Sequence, residues 1–546
     1  MAQSAMAAVT EMKKAKSMRP NRYNSTSRPS KLSIPQQDKL QKIFGRDSGA
    51  HQLHKMSQDL EKTSKMDSKD TVSEMTNITD TTGDKQLRRR LDLYLMPLLT
   101  ISFLLQFLDK QTLSLASVMG LIQELDLRGT EYSWSGSIFY FGYLTLSYPA
   151  AYLMVRFPLA QFLAICCVAW ATVLACHAAA SNFTGLAVTR FFLGAAESSL
   201  APGFGLIIAS FYTRAEQPFR LGIWFLGASV GTMFGGLFGY AVAHIHSSVL
   251  SNWQWLFVIL GIVTFLWGVL LFFFLPSSPK DARFLSAEQK IRAIARISEN
   301  QTGLNEDHHW KWAQAIEALT DPKIWLVVIY QLAIAIPNGA VTTFMSLVIA
   351  GLGFSRFEVY LLQMPVGFIH GCAALTSTYI CSRVKNARCW VGMALNVIAI
   401  MGTILVRYGP NTGAKLFGFF SFVVFGSGIP IGQSMIASNV AGYTKKSVAS
   451  AMMFFAYCVG NITGPFLFFP SEAAQNYPSG FTAMTICFAI AAVAVFTLRM
   501  VLGVENRKRD REQAATASEE ISAERTDEPI LVDRTDGKNK SFRYML

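Results

Sequence analysis

The chain has 546 residues, of which 51% are hydrophobic and only 16% charged, against about 25% charged in an ordinary soluble domain. That balance excludes a soluble globular enzyme. The formal net charge of +13 would suit a nucleic-acid binder, but the Lys and Arg residues sit in short clusters between long apolar runs. That is the pattern of membrane-protein inner loops, and no nucleic-acid partner is expected.

In chain order, residues 1–90 come first, rich in Ser, Lys, Asp and Thr and poor in aromatics. They read as a disordered cytosolic tail. The first 86 residues hold no apolar h-region, so the first apolar helix is expected to act as the insertion signal. A spanning helix needs about 20 apolar residues, and twelve windows qualify. Six lie in a first half, 91–275: residues 93–118, 134–155, 160–180, 184–211, 220–244 and 254–275. Six lie in a second half, 323–503: residues 324–347, 358–381, 389–407, 414–437, 447–469 and 479–502. The fold class is therefore all-α, a polytopic bundle of two pseudo-symmetric six-helix halves.

Between the halves runs a polar cytosolic loop, 276–322, and after them a second disordered cytosolic tail, 504–546. In the loop, Ser286 and Gln289 form a capping box ahead of Ile291, Ile294 and Ile297, which predicts an amphipathic helix lying on the membrane surface. Basic residues set the orientation. Arg88–Arg90, Arg156, Arg214, Arg220, Arg383, Lys385, Arg388, Lys445, Lys446 and Arg507–Arg509 share one side, which is expected to be cytosolic with both termini. The other side carries only Arg128, Arg356, Arg407 and Lys415. The eight cysteines lie in or beside apolar runs without paired spacing, so neither disulfides nor a metal site are expected. No nucleophile motif or nucleotide loop is evident, and no catalytic residue or cofactor is expected.

Glycines recur at four-residue spacing in the fifth helix (Gly227, Gly231, Gly235, Gly239) and more weakly in the eleventh (Gly460, Gly464). Small faces let helices approach closely. Their matching places in the two halves suit an internal repeat. Close packing and rocking of one half on the other both fit this pattern.

Ionisable residues at membrane depth are costly, and this makes them functional candidates. Asp109 and Lys110 stand in the first helix, Arg190 and Glu197 in the fourth, His370 in the eighth. Asp109 lies about 13 Å and Arg190 about 9 Å from the outer ends of their helices, which suits an ion pair. Glu197 follows Arg190 by about two turns on the same face. Asp109 and Glu197 are the candidates for proton coupling, Lys110 and Arg190 for binding an anion. A purely structural ion network is the alternative. His370 could serve either packing or function, while His177 and His244 read as interfacial. Gln331, Asn338, Gln433 and Asn461 could line a solute cavity, with Gln106, Asn439 and aromatics such as Tyr140 and Tyr457 at similar depths.

These residues stand in recognisable stretches: Phe107-Leu-Asp-Lys-Gln-Thr-Leu-Ser-Leu-Ala116, Tyr132-Ser-Trp-Ser-Gly-Ser-Ile-Phe-Tyr-Phe-Gly142, Arg190-Phe-Phe-Leu-Gly-Ala-Ala-Glu-Ser-Ser-Leu-Ala-Pro-Gly203, Glu299–Gly303, Gln363–Pro365, Asn439–Lys446 and Ala456–Pro465. Together they resemble the major facilitator superfamily, and within it the anion:cation symporter family and its fungal allantoate permease branch, from about Leu91 to Arg509. The resemblance implies a proton-coupled symporter of a fungal plasma membrane. It would take up a small organic anion of allantoate, ureidosuccinate, nicotinate or pantothenate type, as a monomer in the lipid bilayer. It also matches Asp109 and Glu197 to the coupling carboxylates. The chain departs from the superfamily pattern between helices 2 and 3, where only Arg156 survives, and between helices 8 and 9, where Ser382-Arg383 stands. The fifth helix lacks the Gly-Pro step of drug antiporters. Export of an organic acid, or a receptor on the same scaffold, stays open at this stage.

Overall fold

The computed structural model describes residues 82–213, 216–301, 310–519, 535–539 and 541–546. The chain divides into two units, residues 1–85 and 86–546. The first contributes only the opening turn of a helix to the described residues, so most of the expected N-terminal disordered tail lies outside them.

Among the described residues, twelve helices are long and apolar enough to cross a membrane. They are α1 Asp84–Val118, α2 Glu131–Arg156, α3 Leu159–Ala179, α4 Phe183–Phe211, α5 Phe219–Ala243, α6 Asn252–Phe274, α7 Pro322–Gly351, α8 Arg356–Arg383, α9 Arg388–Tyr408, α10 Thr412–Asn439, α11 Tyr443–Leu467 and α12 Pro478–Gln513. Every predicted window falls on one of these helices to within two residues of overshoot. The even count brings both ends of the bundle to the same side.

Prolines mark the irregularities. In α4 the helix ending at Glu197 restarts at Leu200, where Pro202 has no N–H to give the carbonyl of Ser198. In α10 a tight turn over Val423–Ser427 precedes Pro430, and in α11 the last turn tightens at Gly464–Leu467 around Pro465.

Glycines set the closest crossings. A Cβ on Gly227 would lie 2.6 Å from the Thr100 carbonyl oxygen, and one on Gly231 2.8 Å from that of Leu104. Thus α5 lies directly on α1. In the second half α11 meets α7 in the same way, with Gly464 2.2 Å by the same measure from the Ile336 oxygen. The tightest crossing joins α2 to α4. Cβ atoms on Gly142 and Gly194 would fall 2.0 and 1.9 Å from the carbonyl oxygens of Phe191 and Phe139.

The repeat extends to charge at the terminus-bearing end. Arg220 of α5 donates to both oxygens of Asp92 of α1, at 3.0 and 2.7 Å. Lys445 of α11 reaches Asp321, the cap of α7, at 2.8 Å. These pairs tie the fifth helix of each half to the first.

The capping box at Ser286 and Gln289 forms, and the helix Ala287–Gln301 follows. It leaves Ile291 and Ile294 exposed while Ala293 is buried. Its Arg296 reaches Glu216 at 2.5 Å. A second loop helix, Trp312–Thr320, was not anticipated. Its Trp312, Ile316 and Leu319 form one exposed apolar stripe.

The expectation of a disordered tail over 504–546 is corrected for residues 504–519 and 535–546 except 540, while 520–534 lie outside the described residues. The last helix runs on to Glu519, and residues 535–546, except 540, are described against the second half with Thr535, Asp536 and Tyr544 buried. Composition alone misreads this stretch, because its order comes from partners distant in sequence.

The α2–α4 crossing has a direct test. Gly194→Leu should lower the melting temperature in detergent, since forcing a side chain into packed backbone costs about 1–3 kcal/mol or more. Gly205→Ala on the same helix meets nothing within 4 Å and should be neutral or slightly stabilising. Equal melting of the two variants would refute the crossing.

Candidate functional site

The hydrogen bonds that cross between the halves gather toward the end remote from the termini. The Tyr132 hydroxyl donates to the Thr343 carbonyl at 2.7 Å. Ser137 donates to the Ile462 carbonyl at 2.7 Å and Ser133 to the Pro465 carbonyl at 3.1 Å. Ser114 and Ser346 join at 3.0 Å, and Ser346 also receives the Gln363 amide at 2.9 Å. Deeper in, Ser229 of α5 meets His370 of α8 at 2.9 Å. His370 is thereby a link between the halves, with Gly426 of α10 against its other ring nitrogen.

Below this seal lies a charged cluster on α1 and α4. Lys110 stands 3.7 Å from Glu197, its side chain 16% exposed while that of Glu197 is fully buried. Gln106 donates to the same Glu197 oxygen at 2.8 Å, and the other oxygen has no hydrogen-bond partner. The Lys110 ammonium also faces the rings of Phe139 and Tyr143 at 5.4 and 5.6 Å, an arrangement in which ring electrons attract a cation. The α2–α4 crossing produces it, because Phe139 and Tyr143 flank Gly142.

Asp109, the neighbour of Lys110, points the other way, into the interior of the first half. It accepts the Trp170 indole N–H at 2.5 Å and lies 3.4 Å from the Thr112 hydroxyl. Its carboxyl and that of Glu197 influence one another electrostatically. Arg190 is 3% exposed and lies over Phe257 at 5.8 Å. Two of its nitrogens, Nε and Nη2, have no hydrogen-bond partner. The expected Arg190–Asp109 ion pair is not formed: the two interact electrostatically at longer range, and Trp170 takes the contact instead. The ion pair within the cluster is Lys110–Glu197.

The second half contributes an amide pair. Asn338 of α7 donates to Asn461 of α11 at 2.8 Å, and Asn461 donates to the Tyr457 carbonyl at 2.8 Å. The Tyr457 ring stands 6.0 Å from that of Tyr140 across the halves. Gln331 is buried, its side-chain oxygen unpartnered, against α10 at Gly432. Gln433 is exposed. Asn439 belongs elsewhere, bonded to the main chain of Met545. His177, expected at the interface, is fully buried and stacked on Phe257 at 5.0 Å. Trp170, Phe139 and Tyr143 were missed as site residues. The signal for Trp170 was its polar N–H in the middle of a span, which needs a partner when buried.

Comparison with known proteins places these observations. The Major Facilitator Superfamily matches residues 99–465. An uncharacterized transporter of Schizosaccharomyces pombe is 35% identical over 467 residues, covering 84% of this chain and 88% of its own. The allantoate permease of Saccharomyces cerevisiae is 33% identical over 476 residues, covering 85% and 87%. Among solved structures, a bacterial homolog of the human lysosomal transporter Spinster, inward-facing and unoccupied, superposes with a TM-score of 0.58. At 16% identity, over 74% of this chain and 96% of that one, the likeness concerns the fold alone.

The seal remote from the termini can be checked by cross-linking. Ser114→Cys combined with Ser346→Cys should form a disulfide on mild oxidation, because the oxygens they replace are 3.0 Å apart. After cleavage in the central loop the two halves should then migrate together on a non-reducing gel. Failure to cross-link would mean that this closed arrangement is not populated.

Proposed function

We propose that this chain, which belongs to the major facilitator superfamily and is a membrane transporter rather than an enzyme, carries a small organic anion inward together with protons. The solute would be a carboxylate of allantoate, ureidosuccinate, nicotinate or pantothenate type, and the membrane the fungal plasma membrane with both termini cytosolic. The observation that carries the reading is Lys110, a partly exposed cation held by aromatic rings, with a pair of buried carboxyls behind it. The allantoate permease relative supports the solute class, and the one-sided basic clusters support the orientation. With that orientation, the seal remote from the termini corresponds to an inward-facing state.

Charge arithmetic supplies the mechanism. Lys110 and Arg190 contribute two positive charges, Asp109 and Glu197 two negative ones. The empty cluster is neutral. One proton on this pair of buried carboxyls leaves a net charge of +1 and attracts an anion to Lys110. The arriving carboxylate restores neutrality. Uncompensated charge in a low-dielectric interior is strongly disfavoured. The empty and the doubly loaded states therefore switch, and the half-loaded states do not. In this scheme Lys110 binds solute, Glu197 hands Lys110 over, and Asp109 holds or shares the proton. Arg190, with no acceptor of its own, sets a fixed positive potential around Asp109, and Trp170 orients its carboxyl.

The test uses purified protein in proteoliposomes. Lys110→Ala should weaken anion binding about 10- to 100-fold, the range of a hydrogen bond to a charged group, with Lys110→Arg recovering part of it. Anion affinity in the parent should rise as pH falls, since protonation creates the positive site. Asp109→Asn and Glu197→Gln should abolish accumulation driven by a pH gradient, and at least one should keep counterflow exchange. Full proton-driven accumulation in both carboxyl variants would defeat the mechanism. Unchanged binding in Lys110→Ala would remove Lys110 from the solute site.

A further inference from the structure

The segment 535–546 does not merely touch the bundle. It packs at the terminus-bearing end of the second half, where its Asp536 and Tyr544 line a small cavity together with α7, α10 and α12 residues such as Ile324, Met435 and Leu498. Its main chain is gripped by asparagines. Asn439 of α10 accepts the Met545 N–H at 2.7 Å and donates to the Met545 carbonyl at 2.9 Å. Asn506 of α12 does the same for Tyr544, at 2.9 and 2.8 Å. Two side-chain amides, each pairing with both polar groups of one residue, hold the end of the segment by its main chain, the way main-chain hydrogen bonds give affinity to a bound peptide.

Two side chains add specificity. Asp536 is fully buried, with one oxygen 2.8 Å from Lys445 and the other 3.7 Å from Lys323. Tyr544 donates to Asp536 at 2.8 Å while its oxygen receives Arg509 and Lys323, each at 3.0 Å. Burial, and then the neighbouring Asp536 carboxylate, hold the Tyr544 hydroxyl protonated far above its ordinary range, which keeps it a donor.

The cations that grip the segment also have partners outside it. If the segment leaves, Lys445 keeps Asp321 at 2.8 Å and Glu317 at 2.9 Å, and Arg509 keeps Glu505 at 3.1 Å. No buried cation is orphaned, which is the outcome that makes the loss of a buried partner so costly.

We propose that the terminus-bearing end of the second half is a peptide-binding site, occupied reversibly by this chain's own residues 535–546, and that its occupant fastens α7, α10, α11 and α12 together. The ligand class is a peptide with an acidic residue in a turn, eight positions before a tyrosine. The proposal does not depend on which solute is carried.

The experiment uses the chain truncated after residue 534 and a fluorescent synthetic peptide of residues 535–546, read by anisotropy. Saturable binding to the truncated chain is expected, at least tenfold weaker binding to the intact chain whose site is filled, and at least tenfold weaker binding of the Asp536→Ala peptide. Equal binding to both chains, or indifference to Asp536→Ala, would overturn the site. If the truncated chain does not fold, hydrogen exchange on full-length Asp536→Ala decides. Faster exchange at 541–546 and at the terminus-bearing ends of α7 and α11, with α1–α6 unchanged, is expected. Exchange unchanged at 541–546 would overturn the proposal.

Discussion

Four charged side chains, Asp109, Lys110, Arg190 and Glu197, stand inside an apolar bundle and sum to zero. Much of the architecture around them serves to hold that balance. Gln106 satisfies one Glu197 oxygen and Trp170 one Asp109 oxygen. Phe139 and Tyr143 face the Lys110 ammonium. None of this would fit if α2 and α4 stood farther apart. The bare backbones at Gly142 and Gly194 let the helices close, and that contact carries the two rings to Lys110 and the Arg190–Glu197 face to α1.

The two adjacent residues of α1 part company in space. Lys110 opens partly to solvent, while Asp109 is sealed in the first half among α1, α3 and α4. Glu197 pairs with Lys110 and shares the electrostatic surroundings of Asp109, so a change of charge at one is felt at the other. The proposed division of labour, with one face for the solute and one carboxyl for the proton, rests on that separation.

The same plan is written twice at the terminus-bearing end. A cation at the start of the fifth helix of each half, Arg220 or Lys445, grips a carboxylate at the start of the first, Asp92 or Asp321. Each junction is then reached from outside the bundle, the first by Arg296 through Glu216, the second by Glu317 and Asp536. With glycine crossings joining the same helix pairs, each half has the internal ties of a body that moves as one. Ser229–His370 and the serine and tyrosine contacts around Ser114 and Tyr132 are where two such bodies meet.

The twelve spans were legible in the sequence because length and apolarity are local, and a bilayer demands both within one segment. The intramembrane charges were legible for the same reason: Asp109, Lys110, Arg190 and Glu197 stand out against apolar neighbours whatever they touch. Which charge faces which was not legible. Depth along a helix predicts who is level with whom, but rotation about the helix axis decides partners. Rotation is set by close crossings such as Gly142 on Phe191, so Asp109 found Trp170 and Lys110 found Glu197. The docked segment was hidden for a further reason. Thr535–Leu546 is polar and short, with no apolar period of its own, and it is held by groups such as Lys323, Asn439, Lys445, Asn506 and Arg509, contributed by four helices that the tertiary fold alone brings together.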